Sequence, residues 1–124
     1  MKEPKNPKIP KVKIHPHPKY FEGVGRRKTA VARVRISNGK GQAVVNDRDF
    51  DSYFQLPELK EAALLPLGTL KLDNRFDLSV KVSGGGKRSQ AESIRHGLAR
   101  ALVQFNDDFK KRLRSAGFLT RDPR

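Results

Sequence analysis

Ser83-Gly84-Gly85-Gly86-Lys87-Arg88-Ser89-Gln90 joins two segments of different period. Upstream, Phe76, Leu78, Val80 and Val82 alternate with Arg75, Asp77, Ser79 and Lys81, the pattern of a half-buried strand. Downstream, Ala91, Ile94, Leu98, Ala101, Leu102 and Phe105 recur at helical spacing, with Glu92, Arg95, His96 and Arg100 mostly on other faces. The stretch therefore predicts a strand, a glycine turn and a helix over 89–105, with Ser89 as its N-cap. A helix N-terminus presents unpaired N–H groups and partial positive charge, and Lys87 and Arg88 stand beside it. Gly84, Gly85 and Gly86 with these side chains read as a phosphate cradle.

A nucleotide-binding P-loop, G-x-x-x-x-G-K-[ST], does not fit. Lys81 stands where its first glycine belongs, and Arg88 replaces the hydroxyl residue that would hold magnesium. The plainer alternative is a glycine turn with no ligand. The charge of the whole chain favours phosphate.

The 124 residues carry a net charge of +14. Residues 1–28 hold nine basic and two acidic residues, and residues 110–124 hold six and one. The middle, 29–109, is nearly balanced with twelve and ten. Two basic ends on a balanced globular middle are the footprint of nucleic-acid binding. Neither end has the apolar face of a helix lying on a membrane. Ala62-Ala63-Leu64-Leu65 is the longest uninterrupted apolar run, too short to span a bilayer, and no secretory signal or transit pattern opens the chain. A cytoplasmic location is the resulting expectation. Cysteine is absent, which excludes disulfides and thiolate zinc sites.

Residues 1–19 read as a Lys/Pro-rich arm that is extended until a polyanion orders it. His15 and His17 within it lack a third metal ligand. Gly23 to Thr29, containing Arg26, Arg27 and Lys28, opens the folded part, 20–119. Ala30, Ala32, Val34 and Ile36 alternate with Val31, Arg33 and Arg35, giving a strand with one apolar and one basic face. Ser37 to Gly41 reads as a turn, and Gln42 to Asn46 as the returning strand of a hairpin. Asp47, Asp49, Asp51 and Glu58 have calcium-loop spacing, but Ser52 replaces the required glycine and Pro57 interrupts the loop. They read instead as turn and helix-capping carboxylates. Pro57 to Leu65 predicts a helix stopped by Pro66 and Gly68. Asn106-Asp107-Asp108 reads as a break and a new N-cap, and Phe109 to Ala116 as a short basic helix carrying Lys110, Lys111, Arg112 and Arg114 and ended by Gly117. Phe118 and Leu119 are expected to anchor it, and 120–124, with Arg121 and Arg124, to begin a basic tail. No catalytic constellation can be assembled, and His96 among arginines reads as an RNA or surface contact.

Three motifs in order carry a family resemblance. Gly25-Arg26-Arg27-Lys28-Thr29-Ala30-Val31-Ala32-Arg33-Val34 is the first. Val82-Ser83-Gly84-Gly85-Gly86-Lys87 with Gln90 through Leu102 is the second, and Ala116-Gly117-Phe118-Leu119-Thr120-Arg121-Asp122 the third. Together they resemble the ninth small-subunit ribosomal protein family, of bacterial or organellar type. The resemblance implies an α/β (α+β) two-layer domain with a four-stranded sheet and a left-handed βαβ crossover, although right-handed crossovers are the general rule. It also implies a non-enzymatic role in the head of the small subunit, bound to rRNA near the seventh, tenth and fourteenth proteins. The 1–19 arm is longer than usual for the family. Family members continue past Arg124 into a basic tail that reaches the peptidyl-site tRNA, so that contact is expected only of a chain with the longer tail.

The residues expected to bind RNA are Arg26, Arg27, Lys28, Arg33, Arg35, Lys87, Arg88, Ser89, Arg95, His96, Lys110, Lys111, Arg112, Arg114, Arg121 and Arg124. The rivals are another RNA-binding module of related fold, such as the ribonuclease P protein, and a nucleotide-binding enzyme. The glycine-rich junction and the Gly-Phe-Leu-Thr-Arg-Asp ending argue against the first, and the missing magnesium ligand against the second. No cofactor is expected.

Overall fold

In the computed structural model, residues 20–72 and 74–119 are described; the arm and tail lie outside them. Five strands form one sheet in the order β1-β2-β5-β3-β4. They are β1 (Tyr20–Arg27), β2 (Ala30–Asn38), β3 (Ala43–Val45), β4 (Arg48–Asp49) and β5 (Phe76–Ser83). The helices are α1 (Phe50–Tyr53), α2 (Pro57–Thr69), α3 (Lys87–Phe105) and α4 (Lys110–Ser115), with a 3-10 turn at Asp107–Phe109. The mixed α/β class is as expected, but the sheet has five strands and not four.

The alternation in β2 and β5 works as written. Ala32, Val34, Ile36, Leu78, Val80 and Val82 are buried, while Arg33, Arg35, Ser79 and Lys81 face out. The inner face meets Ala91, Ile94, Leu98 and Leu102 of α3 and Leu59, Ala63 and Leu67 of α2 in one core. Each fully buried aliphatic side chain contributes roughly 1.5–3 kcal/mol, so this layer contact holds the domain together.

Tyr20–Arg27 is a full strand, paired along its length with β2. Its glycines hide the period-2 signal and also explain the packing. A Cβ at Gly23 would overlap the Gly97 carbonyl, and one at Gly25 would overlap the Ser93 carbonyl. α3 thus lies directly on the backbone of β1, with Gly97 as the matching small residue.

The expected hairpin from Ser37 to Asn46 does not form. β5 sits between β2 and β3, antiparallel to the first and parallel to the second. Asp77 braces the detour, as one carboxylate oxygen accepts the N–H groups of Lys40, Gly41 and Gln42 at 3.0–3.2 Å. The loop is thereby held across the start of β5, and β3 emerges on its far side. The local hairpin is instead β3–β4, turned at Asn46 and Asp47, both at positive φ (51° and 67°) as a two-residue type I′ turn requires. Asp77→Ala should lower stability by about 1–2 kcal/mol, since three N–H groups lose a charged acceptor while water partly replaces it. A lower urea midpoint with an unchanged m-value is the expected measurement. An unchanged midpoint would remove Asp77 from this role.

Pro66 does not stop α2. It has no N–H to give, but its side chain is buried and the helix continues to Thr69. The end is made by Lys71 at φ 58°, with Leu72 N–H donating to Leu67 O at 2.8 Å and Lys71 N–H to Gly68 O at 3.1 Å. Gly117 ends α4 with the same pair of bonds, to Leu113 and Arg114. Asp49 caps α1 through the Asp51 N–H, as the carboxylate reading anticipated.

Candidate nucleic-acid interface

Two turns meet at one end of the sheet. The β1–β2 turn carries Lys28 at φ 57°, and the β5–α3 junction lies against it. Gly84 stands at φ 81° with its α-carbon facing the Thr29 carbonyl, where a Cβ would overlap the oxygen. Val31 of β2 pairs with Ser83 at the end of β5, which aligns the turns. Arg26, Lys28, Lys87 and Arg88, separated by about sixty residues in sequence, are consequently exposed on one edge.

Gly86, not Ser89, occupies the N-cap of α3, and no side chain caps it. The first helical bond runs from Gln90 N–H to Gly86 O at 2.9 Å. Ser89 sits at the third helical position and is half-buried. Side-chain capping of the early N–H groups was the purpose predicted for Ser89. Without it, the helix presents those groups and its positive end beside Lys87 and Arg88.

Two residues that sequence reasoning passed over hold this loop. Gln90 is buried, donates to the Gly84 carbonyl at 3.0 Å and accepts from the Tyr53 hydroxyl at 2.6 Å. The Lys87 ammonium lies 4.5 Å from the Tyr53 ring centroid and donates to its carbonyl at 3.4 Å. An amide in line with the apolar positions Ala91 and Ile94 was the available signal for Gln90, because a buried polar group has to be bonded. Tyr53 offered no such signal, since its partners come from the other end of the chain.

The remaining expected residues divide between surface and scaffold. Arg27 is half-buried and pairs with Glu92 at 2.6 Å. Arg33 and Arg35 project from the outer face of the sheet and share Glu22, at 2.8 and 3.8 Å, with Arg35 also 4.8 Å from the Tyr20 ring. That basic face is distinct from the junction and partly neutralised. His96 is buried, with Nδ1 accepting the Arg26 N–H at 3.4 Å, so it braces the free edge of β1 instead of lying on the surface. Arg100, not among the expected residues, donates to the Val24 carbonyl on the same edge at 3.4 Å. With Lys110 and Arg26 these two line an open groove of about 750 Å³. Arg95 packs over Phe118 at 5.5 Å, and Arg112 donates to the Thr69 carbonyl at 3.0 Å, closing the end of α2. Lys111 and Arg114 are exposed. Arg121, Arg124, His15 and His17 lie outside the described residues. Among the described residues no three His, Asp or Glu side chains are grouped to hold a metal ion, and no helix is long and apolar enough to cross a membrane.

A surface of this kind can bind a polyanion. Comparison with known proteins agrees in kind. Residues 25–124 match the family described as Ribosomal protein S9/S16. The chain is 53% identical over 102 residues to the small ribosomal subunit protein uS9 of Borrelia hermsii (strain HS1 / DAH), covering 82% of this chain and 75% of that protein. It is 52% identical over the same length to the uS9 protein of Borrelia turicatae (strain 91E135), with the same coverage. The chain belongs to the ribosomal protein S9/S16 family.

Proposed function

We propose that the chain is a structural, non-enzymatic constituent of the small ribosomal subunit that binds rRNA through phosphates at the β1–β2 turn and the N-terminus of α3. Family membership supports the subunit assignment. The observation that carries the site is the uncapped start of α3 standing between Lys87, Arg88 and the Lys28 turn. The helix end supplies oriented N–H donors, the glycines bring the backbone close, and the cations displace counterions. Gln90 and Tyr53 keep the loop in place, which lowers the ordering cost of binding. Arg33 and Arg35, the Arg26–Arg100–Lys110 groove, and Lys111, Arg114, Arg121 and Arg124 extend the contact to further RNA segments.

The finer placement follows from the resemblance: the subunit head, beside the seventh, tenth and fourteenth proteins, in a cytoplasmic ribosome. The crossover from β3 through β4, α1 and α2 to the parallel β5 is the unit to which left-handedness applies.

Affinity for rRNA should fall with salt at a log–log slope of about −4 or steeper, matching roughly five or more phosphate contacts. Filter binding across a salt series measures it. A nearly flat dependence would overturn the phosphate mechanism.

A further inference from the structure

The face formed by α1 and the outer side of α2 has the opposite character from the rest of the molecule. Residues 47–61 contain five acidic and two basic residues, in a chain whose net charge is +14. Asp47, Asp49, Asp51, Glu58 and Glu61 are all exposed. Lys60 pairs with Asp51 at 2.6 Å and Lys81 with Asp47 at 3.3 Å. Glu58 and Glu61 carry no ion pair among the described residues.

Between the carboxylates lies apolar surface that the fold does not use. Leu56 is 56% and Leu65 45% exposed. Pro57, Leu64 and Leu65 line an open groove of about 600 Å³ together with Asp51 and its partner Lys60, Glu61 and Gly68. Two of these residues work against the isolated domain. Leu56 occupies the N-cap of α2, where Ser, Thr, Asp or Asn would supply a bond and leucine supplies none. Gly68 sits inside the helix, where glycine is disfavoured relative to alanine, yet a Cβ there would meet nothing within 4 Å. Neither turn geometry nor internal packing requires it. Its exposed α-carbon leaves room for a second backbone to approach the helix closely.

We propose that this α1–α2 face docks another protein of the small subunit through a segment that carries Lys or Arg beside apolar side chains. Leu56, Leu65 and the groove supply the apolar centre, and Asp51, Glu58 and Glu61 the complementary rim. Gly68 admits the partner's backbone. The same carboxylates repel RNA, so the molecule has an RNA edge at the α3 N-terminus and a protein face on α2.

This inference rests on the subunit assignment, and its test separates the two. Small subunits are reconstituted with the full chain bearing a photo-crosslinking amino acid at Leu65, and the products are identified by mass spectrometry. The expected product joins Leu65 to a Lys- or Arg-containing peptide of a different subunit protein. Glu61→Lys with Asp51→Lys should lower its yield about fivefold. Gly68→Ala should raise the melting temperature of the free chain while lowering the yield, a combination that loss of folding cannot produce. Incorporation with crosslinks to rRNA, to the 1–19 arm, to a second copy or to nothing overturns the docking proposal alone. Failure of the unsubstituted chain to enter the particle overturns the subunit assignment and this inference with it.

Discussion

Replacing Lys28, Lys87 and Arg88 together by alanine is expected to lower rRNA affinity about a hundredfold at physiological salt, on the basis of roughly 1 kcal/mol per charged phosphate contact. All three are exposed on one edge where the β1–β2 turn meets the start of α3. The salt slope should become shallower by about two to three units, since each lost phosphate contact removes about one. Folding should change little. Lys28 and Arg88 form no ion pair among the described residues, and Lys87 contacts Tyr53 at the surface. That exposed cation–π contact is worth about 0.5–1 kcal/mol. Isothermal binding and thermal melting on the same variant separate the effects. Unchanged affinity would leave the glycine junction as a turn without a ligand.

Gly25→Ala should be the most damaging single methyl in the molecule, at about 3 kcal/mol or more. The added carbon would overlap the Ser93 carbonyl and also crowd the Gly97 backbone. Those are backbone atoms of a packed helix and cannot swing aside as a side chain would. Relief requires α3 to lift from β1, which would open the core at Ile94 and Leu98. For a domain of this size the loss corresponds to a melting decrease of more than about 12 °C. Gly86→Ala is the contrast, because a Cβ there meets nothing within 4 Å. It should cost under about 1 kcal/mol, the difference between glycine and alanine at an N-cap. Equal melting temperatures for the two variants would refute the close approach of α3 to β1.

The two effects are linked by geometry. Contact of α3 with the backbone of β1 places the start of the helix level with the β1–β2 turn. A strand separated from the helix by ordinary side chains would leave Lys28 farther from Lys87 and Arg88. The glycines of β1 therefore serve the alignment of these exposed cations.

Much of this was legible in the residues alone. Alternation in 30–36 and 76–82 and helical spacing in 91–105 are local properties, set by side-chain direction within one element, and each survived into the fold. The glycine-rich junction with Lys87 and Arg88, and the concentration of charge at the two ends, were equally readable because composition needs no partner. Tertiary structure decided what depends on distant residues. β1 was hidden because Gly23 and Gly25 mark their inward face by the absence of a side chain, a pattern that hydropathy does not register. The pairing of β3 with β5 in place of β2 depends on contacts across more than thirty residues, among them Asp77 holding the loop before β3 and buried Val45. α2 runs through Pro66 because burial in the core outweighs one missing hydrogen bond. His96, Arg95 and Arg112 read as RNA contacts from their identity, and only the tertiary structure shows that they also touch Arg26, Phe118 and Thr69. Sequence by itself determined which residues alternate, which coil and where the charge lies. Only the packed chain decided which strands are neighbours and which cations stand exposed together, because both depend on burial between segments that no local pattern connects.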